Sequence, residues 1–291
     1  KDPAYFAENR LASHSDHIVY ARMEELLRGE SSLYCPLDGL WKFFCARNEN
    51  QIIPGFEGSD YDCHPWADIP VPAHIQLEGY GAPQYVNVQY PWDGVEDVPL
   101  GDVPQEHNPV ACYVRYFFLP EAMRGQRVLV RFEGAESCVA VWLNGHYVGF
   151  AADSFSPAEF ELTPYLAEGE NKLACRVYRW NIGSWLEDQD FFRFSGLFRS
   201  VSLVCIPKAH VWDIRIQTLL DDAYTDATLV LDTSLLLGQG AEGATLHAAL
   251  MDGKTVLATA QGGGETQHFE LAVHQPQLRS SESPLLYDLL M

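Results

Sequence analysis

Between Gly183 and Gly196 the chain reads GSWLEDQDFFRFSG, which sets three carboxylates (Glu187, Asp188 and Asp190) and Arg193 among Trp185, Leu186, Phe191, Phe192 and Phe194. Three chemistries fit those residue types. Asp188 and Asp190 lie two apart, so in an extended segment they project to one side about 7 Å from each other. Glycoside hydrolysis uses carboxyl pairs at roughly 5 to 9.5 Å, but the two groups must flank the scissile bond, which neighbours on one short segment do poorly. Alternatively the stretch is an acidic loop, its charges satisfied by backbone N–H groups and Arg193. Or it binds a sugar: carboxylates accept from hydroxyls, and Trp185, Phe191, Phe192 and Phe194 offer apolar faces on which a pyranose can stack. Composition alone leaves all three open.

Other constellations carry less. ASHSDH (12–17) gathers His14, Asp16 and His17, yet a metal site needs three or four convergent ligands with outer support, and a solvated capping segment is the simpler expectation. QGGGE (261–265) is a glycine-rich turn with no helix after it to cradle a phosphate. No G-x-S-x-G, Walker or dinucleotide-binding pattern occurs. The formal charge of −21 repels polyanions, so nucleic acid is not an expected partner. The seven cysteines form an odd set without C-x-x-C, and several sit in strand-like runs as small buried hydrophobes, which favours a reducing compartment. No signal-peptide pattern opens the chain and no apolar run approaches a membrane span, so no membrane partner and a cytoplasmic location are expected.

The elements that must position these groups read as β. Helical periodicity is confined to DHIVYARMEELLRGE (16–30), where Ile18, Met23, Leu26 and Leu27 share a face only loosely. LDGLWKFFCA (37–46), ACYVRYFFL (111–119), QRVLVRFEG and NKLACRVYRW predict strands. In SCVAVWLNGHYVGF, Asn144-Gly145 between two apolar runs predicts a type I′ hairpin. SFSPAEFELTPYL reads as a loop, and a long irregular connection is expected from about Gly58 to Pro109. Strands of this length predict an all-β chain, a jelly-roll β-sandwich over residues 1–206 including an N-terminal extension. Shorter, aliphatic strands after VCIPKAH, with an Asp-Gly hairpin, predict an immunoglobulin-like sandwich over 207–291. The last strand ends without a cap or polar tail, which reads as part of a longer polypeptide.

In the same order along the chain, YGAPQYVNVQYPW, NPVACYVRYFFLP, VWLNGHYVGFAADSFSPAEFELTPYL, GENKLACRVYRW and GSWLEDQDFFRFSGLFRSVSL resemble segments of β-galactosidases of glycoside hydrolase family 2. The resemblance extends from about ENRLASHSDH to the last residue. It implies a sugar-binding jelly roll and an immunoglobulin-like domain that precede a catalytic (β/α)8 barrel. The catalytic glutamates would belong to that barrel, so none is assigned here and the chain alone is expected to be inactive. Asn87, in the Y-x-N-V-x-Y-P motif, and Asp190, the last acid of L-E-D-Q-D, match substrate-binding positions. The resemblance also implies that Asp190 shares a sodium ion with the barrel, leaving Glu187 and Asp188 to the acidic-loop reading. Sodium and magnesium in the complete enzyme, a β-galactoside and the barrel as partners, and a homo-oligomer follow from the same resemblance. Two departures stand out: RWNIGSW has Asn181 and Ile182 where relatives often carry a Ser-Asp pair, which puts a structural cation at that turn in doubt, and Phe192 stands where Trp is common. Readings of a different class are a free-standing carbohydrate-binding module and a structural interaction domain.

Overall fold

The computed structural model describes residues 2–187 and 190–291, with the backbone but not the side chain of Phe191. Two compact units result, one of Lys1–Ala12 with Val19–Ile206 and one of Ser13–Ile18 with Pro207–Met291. The first is a β-sandwich of jelly-roll type. Its larger layer is a seven-stranded antiparallel sheet in the order Ala7–Glu8, His146–Ala151, Cys138–Leu143, Glu170–Tyr178, Val110–Phe118, Gly39–Ala46, Ala67–Val71. The smaller layer is Ala158–Glu161, Arg127–Phe132, Val201–Ile206 and Tyr34–Pro36. Asn144 and Gly145 take positive φ of 51° and 84°, as the expected hairpin turn requires.

Side chains that alternate along each strand explain both faces of the large sheet. Val139, Val141, Leu143, Leu173, Cys175, Val177 and Tyr113 point between the layers into the main core. The opposite face is covered too, because Val110, Cys112, Val114 and Ala174 pack under the connection that carries Ile52, Phe56 and Cys63. That is why Val110–Phe118 reads as a nearly unbroken apolar run. Two cations on the same outward face of Glu170–Tyr178 fasten this cover. Lys172 is 4% exposed, and its ammonium donates to the carbonyls of Phe56 (2.6 Å), Gly58 (2.8 Å) and Tyr61 (2.6 Å). Arg176 pairs with the buried carboxylate of Glu57.

Three local expectations need correction. The helix occupies only Met23–Arg28, ended by Gly29 at φ 71°, with Met23 and Leu27 exposed: apolar residues spread loosely around a helix bury no stripe and cannot extend it. The stretch read as a loop contains the strand Ala158–Glu161, recruited by pairing with Arg127–Phe132 despite Pro157 before it. The long connection holds two short strands, Ala67–Val71 and Gln84–Val86.

The second unit consists of two three-stranded antiparallel sheets. One centres on Asp226–Leu237 between Ala209–Leu220 and Thr266–His274, the other on Thr245–Asp252 between Thr255–Gly263 and Asp288–Leu290. Its core follows period two along each central strand, with Ala227, Leu229 and Leu231 from one and Leu246, Ala248 and Leu250 from the other. Ser13–Ile18 is more than a solvated cap. The backbone N–H of Ser15 donates to Asp213 (2.7 Å), its hydroxyl accepts from the N–H of Ile214 (2.9 Å), and the His14 ring lies 4.2 Å from that of Trp212.

Lys172→Met should remove the donor from three carbonyls and lower stability by about 3 kcal/mol. Urea denaturation of the first unit's intrinsic fluorescence checks this; an unchanged midpoint would mean the ammonium does not hold the cover.

Candidate functional site

Gln84–Val86 pairs antiparallel with Phe191–Arg193, in the register Val86 with Phe191, Tyr85 with Phe192 and Gln84 with Arg193. At the Val86–Phe191 end of the ribbon, Asn87 follows one strand and Asp190 precedes the other. Both are exposed. Residues 103 positions apart in sequence are thus neighbours at one end of a two-stranded ribbon.

The ribbon orients the acid directly. Alternation puts Tyr85 beside Phe192, with ring centroids 5.6 Å apart, and the Tyr85 hydroxyl donates to Oδ1 of Asp190. This pairing pushes the phenol's pKa upward, first through that hydrogen bond.

Two-stranded ribbons are marginal on their own, and the sandwich supplies several anchors. Arg179 donates from Nη2 to the Arg193 carbonyl (3.3 Å) and reaches Oε1 of Gln84 (3.5 Å), so one guanidinium touches both strands. Past the ribbon, the N–H of Ser195 donates to Oε1 of Gln76 (3.0 Å) and its hydroxyl accepts from Nε2 (2.7 Å). Gly196 exchanges two backbone hydrogen bonds with Glu136, of 3.0 and 3.1 Å. At φ 115°, with the Tyr113 hydroxyl 2.7 Å and the Ala73 carbonyl 3.1 Å from where a Cβ would stand, Gly196 has no room for a side chain.

Beneath the ribbon lies a small cavity of about 10 Å³, room for roughly one water, lined by Glu136, Ser137, Phe155, Arg179, Trp180, Ser184, Glu187 and Arg193. Burial, then the Glu187 charge, push the Glu136 carboxyl up to about 7, against the opposing pull of Arg193 and Arg179. Burial also raises the Glu187 pKa, reinforced by Asp153 and offset by the Ser154 hydroxyl and Arg193. Arg193 donates to the Glu187 main-chain carbonyl.

The sequence expectations divide accordingly. Asn87 and Asp190 flank the same end of the ribbon, next to Val86 and Phe191. Glu187 is half-buried and lines the charged cavity beside Arg193. Asp188 and the Phe191 side chain lie outside the described residues. Of the aromatic faces, Phe192 is open at 55% exposure, whereas Phe194 stacks on His74 (4.6 Å) and Trp185 packs against Tyr90 (4.5 Å) and Trp92 (5.0 Å). At the departing turn, Asn181 caps the short 3-10 helix Ile182–Trp185 and donates to the Ser137 carbonyl (3.0 Å), so an amide secures it. Glu136, Arg179 and Tyr85 were missed. Tyr85 sits two residues before Asn87 and so shares its side of an extended strand, a signal that was available; Glu136 gives none until residue 196 folds onto it.

Comparisons with known proteins now bear on this geometry. Residues 35–207 match the family described as glycosyl hydrolases family 2, sugar binding domain. A β-galactosidase of Halalkalibacterium halodurans is 45% identical over 296 residues, covering 100% of this chain and 29% of the relative. A β-galactosidase large subunit of Leuconostoc lactis is 35% identical, covering 99% of this chain and 48% of the relative. The chain therefore spans between about three-tenths and one-half of the length of these curated relatives. Among solved structures, a β-glucuronidase of an uncultured Clostridium species superposes with a TM-score of 0.62 at 23% identity, over 88% of this chain and 42% of that one, which shows the shared fold.

Gly196→Ala should cost about 2–4 kcal/mol, because the new methyl meets backbone and phenol where nothing can easily retreat. A thermal melt that matches the parent chain would refute the tight approach.

Proposed function

The chain belongs to glycosyl hydrolases family 2, and from that membership we propose that it is the N-terminal, non-catalytic part of a retaining β-galactosidase that hydrolyses terminal β-D-galactosides. The observation that carries this reading is the ribbon register, which brings the exposed amide of Asn87 and the exposed carboxylate of Asp190 to one end. Such a pair suits a sugar: the amide donates to one hydroxyl and accepts from another, and the carboxylate accepts. Tyr85 donates to Oδ1 of Asp190 and so orients the carboxylate.

Bond breaking belongs, in this proposal, to two carboxyl groups of a (β/α)8 barrel outside these 291 residues, acting through a covalent glycosyl-enzyme. Asn87 and Asp190 hold and orient the galactosyl hydroxyls for that attack. Sodium, when bound, would supply a positive charge for a sugar oxygen. A carboxylate oxygen is a suitable hard donor, but among the described residues no three His, Cys, Asp or Glu gather to hold a metal, so Asp190 is proposed to share the ion with the barrel. Magnesium is assigned to the complete enzyme. The seven free cysteines support a cytoplasmic location, and the complete enzyme is proposed to be a homo-oligomer.

Two contacts from an open half-site cannot offset the cost of ordering a free sugar. Calorimetry of the 291-residue chain with galactose or lactose should show no heat of binding, and a chromogenic galactoside should not turn over. In the complete enzyme, Asn87→Ala and Asp190→Ala should each lower kcat/KM about 100-fold or more with the fold intact, roughly 3 kcal/mol of transition-state contact. Turnover by the isolated chain that vanishes with Asp190→Ala would overturn the proposal, as would a complete enzyme indifferent to both substitutions.

A further inference from the structure

Asn87 lies outside the three ribbon pairs, so the pairing by itself does not fix it. Asn87, Val88 and Gln89 are exposed, whereas Val86 on one side is 4% exposed, and Pro91 and Trp92 on the other are buried, Trp92 to 3%. The segment is an arch with its crown in solvent and both feet in the protein. One foot is the ribbon strand Gln84–Val86. The other is Trp92, enclosed by the rings of Tyr90 (5.4 Å), Trp185 (5.0 Å) and Trp180 (5.9 Å).

One side chain spans the two feet. Nε2 of Gln84 donates to the Pro91 carbonyl (2.7 Å), and Oε1 of the same amide accepts from Nη2 of Arg179 (3.5 Å). The Arg179 guanidinium lies 4.9 Å from the centre of the Trp180 ring, which in turn packs on Trp92. Gln84, Arg179, Trp180, Trp92 and Pro91 therefore close a circuit at the base of the arch. An amide suits the closing position because it donates from one atom and accepts at the other, which neither a carboxylate nor an ammonium can do. Tying the ends of a segment removes conformations it would otherwise sample, and with them part of the ordering cost that a ligand at its crown must offset.

We propose that Gln84 is a positioning residue for Asn87: its amide closes the arch from 84 to 91 and so fixes where Asn87 meets the galactosyl hydroxyls. The effect on catalysis rests on the reading of Asn87 as a sugar contact; the closure of the arch does not.

Two substitutions separate the amide from the ribbon. Gln84→Glu keeps the size and the Arg179 partner but sets an acceptor against the Pro91 carbonyl, and Gln84→Leu removes both contacts without adding charge. Neither touches the backbone pairs. Nitrogen-15 relaxation of the 291-residue chain should show the order parameters of Val88 and Gln89 falling in both variants from about 0.85 to below about 0.6, with Val86 still rigid. In the complete enzyme each variant should lower kcat/KM about tenfold. Placed in an Asn87→Ala background the same substitutions should cost less than about twofold, and in an Asp190→Ala background the full tenfold, since Asn87 alone of the two is carried on the arch. Unchanged order at 88 and 89, a loss of order that extends to Val86, or a tenfold loss that persists in the Asn87→Ala background would each overturn the proposal. An Asn87→Ala enzyme of full activity would instead refute the sugar contact, and the relaxation data would still decide whether Gln84 closes the arch.

Discussion

Three antiparallel pairs, Gln84–Val86 against Phe191–Arg193, carry the functional geometry of this chain. With the Tyr85–Asp190 hydrogen bond, they join two segments separated by about a hundred residues at the end that Asn87 and Asp190 flank. Slippage by one residue would exchange the sides of Tyr85 and Phe192 and remove Asn87 from Asp190. A ribbon this short has little stability of its own. Its register is imposed by what flanks it: the clasp between Glu136 and Gly196, the amide of Gln76 on Ser195, and Arg179 beneath both strands.

The support is electrostatic where a core would ordinarily be apolar. Buried charges are costly unless paired, and the cavity gathers two guanidinium groups and two carboxyl groups of opposite sign. Arginine suits the task because its planar fork reaches several acceptors at once. The arrangement holds the ribbon by directional contacts instead of packing volume. It also leaves the Glu136 carboxyl raised to about 7, chiefly by burial.

Further out, the same preference for cations as fasteners recurs. The outward face of the seven-stranded sheet is dry only because a long connection lies across it, and that connection is irregular backbone whose carbonyls need donors. Lys172 donates to three of them, and Arg176, four residues on along the same strand, pairs with the Glu57 carboxylate. The second unit uses none of this: its two small sheets meet through aliphatic side chains at strict period two.

Much of the architecture was legible without coordinates. Period-two alternation, the Asn144-Gly145 turn and the change of rhythm after Ile206 suffice for an all-β reading, because strand side chains sort themselves by local chemistry alone. Asn87 and Asp190 are expected sugar contacts through the family resemblance of the motifs that hold them. The short strand Ala158–Glu161 was not legible, since its identity comes from its partner and not from its own pattern. Nor was the charged cavity: Glu136 in GAESC and Glu187 in WLEDQ look alike in sequence, ordinary acids beside small or apolar residues. Pairing of residue 136 with 196 brings Glu136 to the cavity that Glu187 also lines, and partial burial there, a property of the assembled chain and of no single stretch, sets the surroundings of such acids.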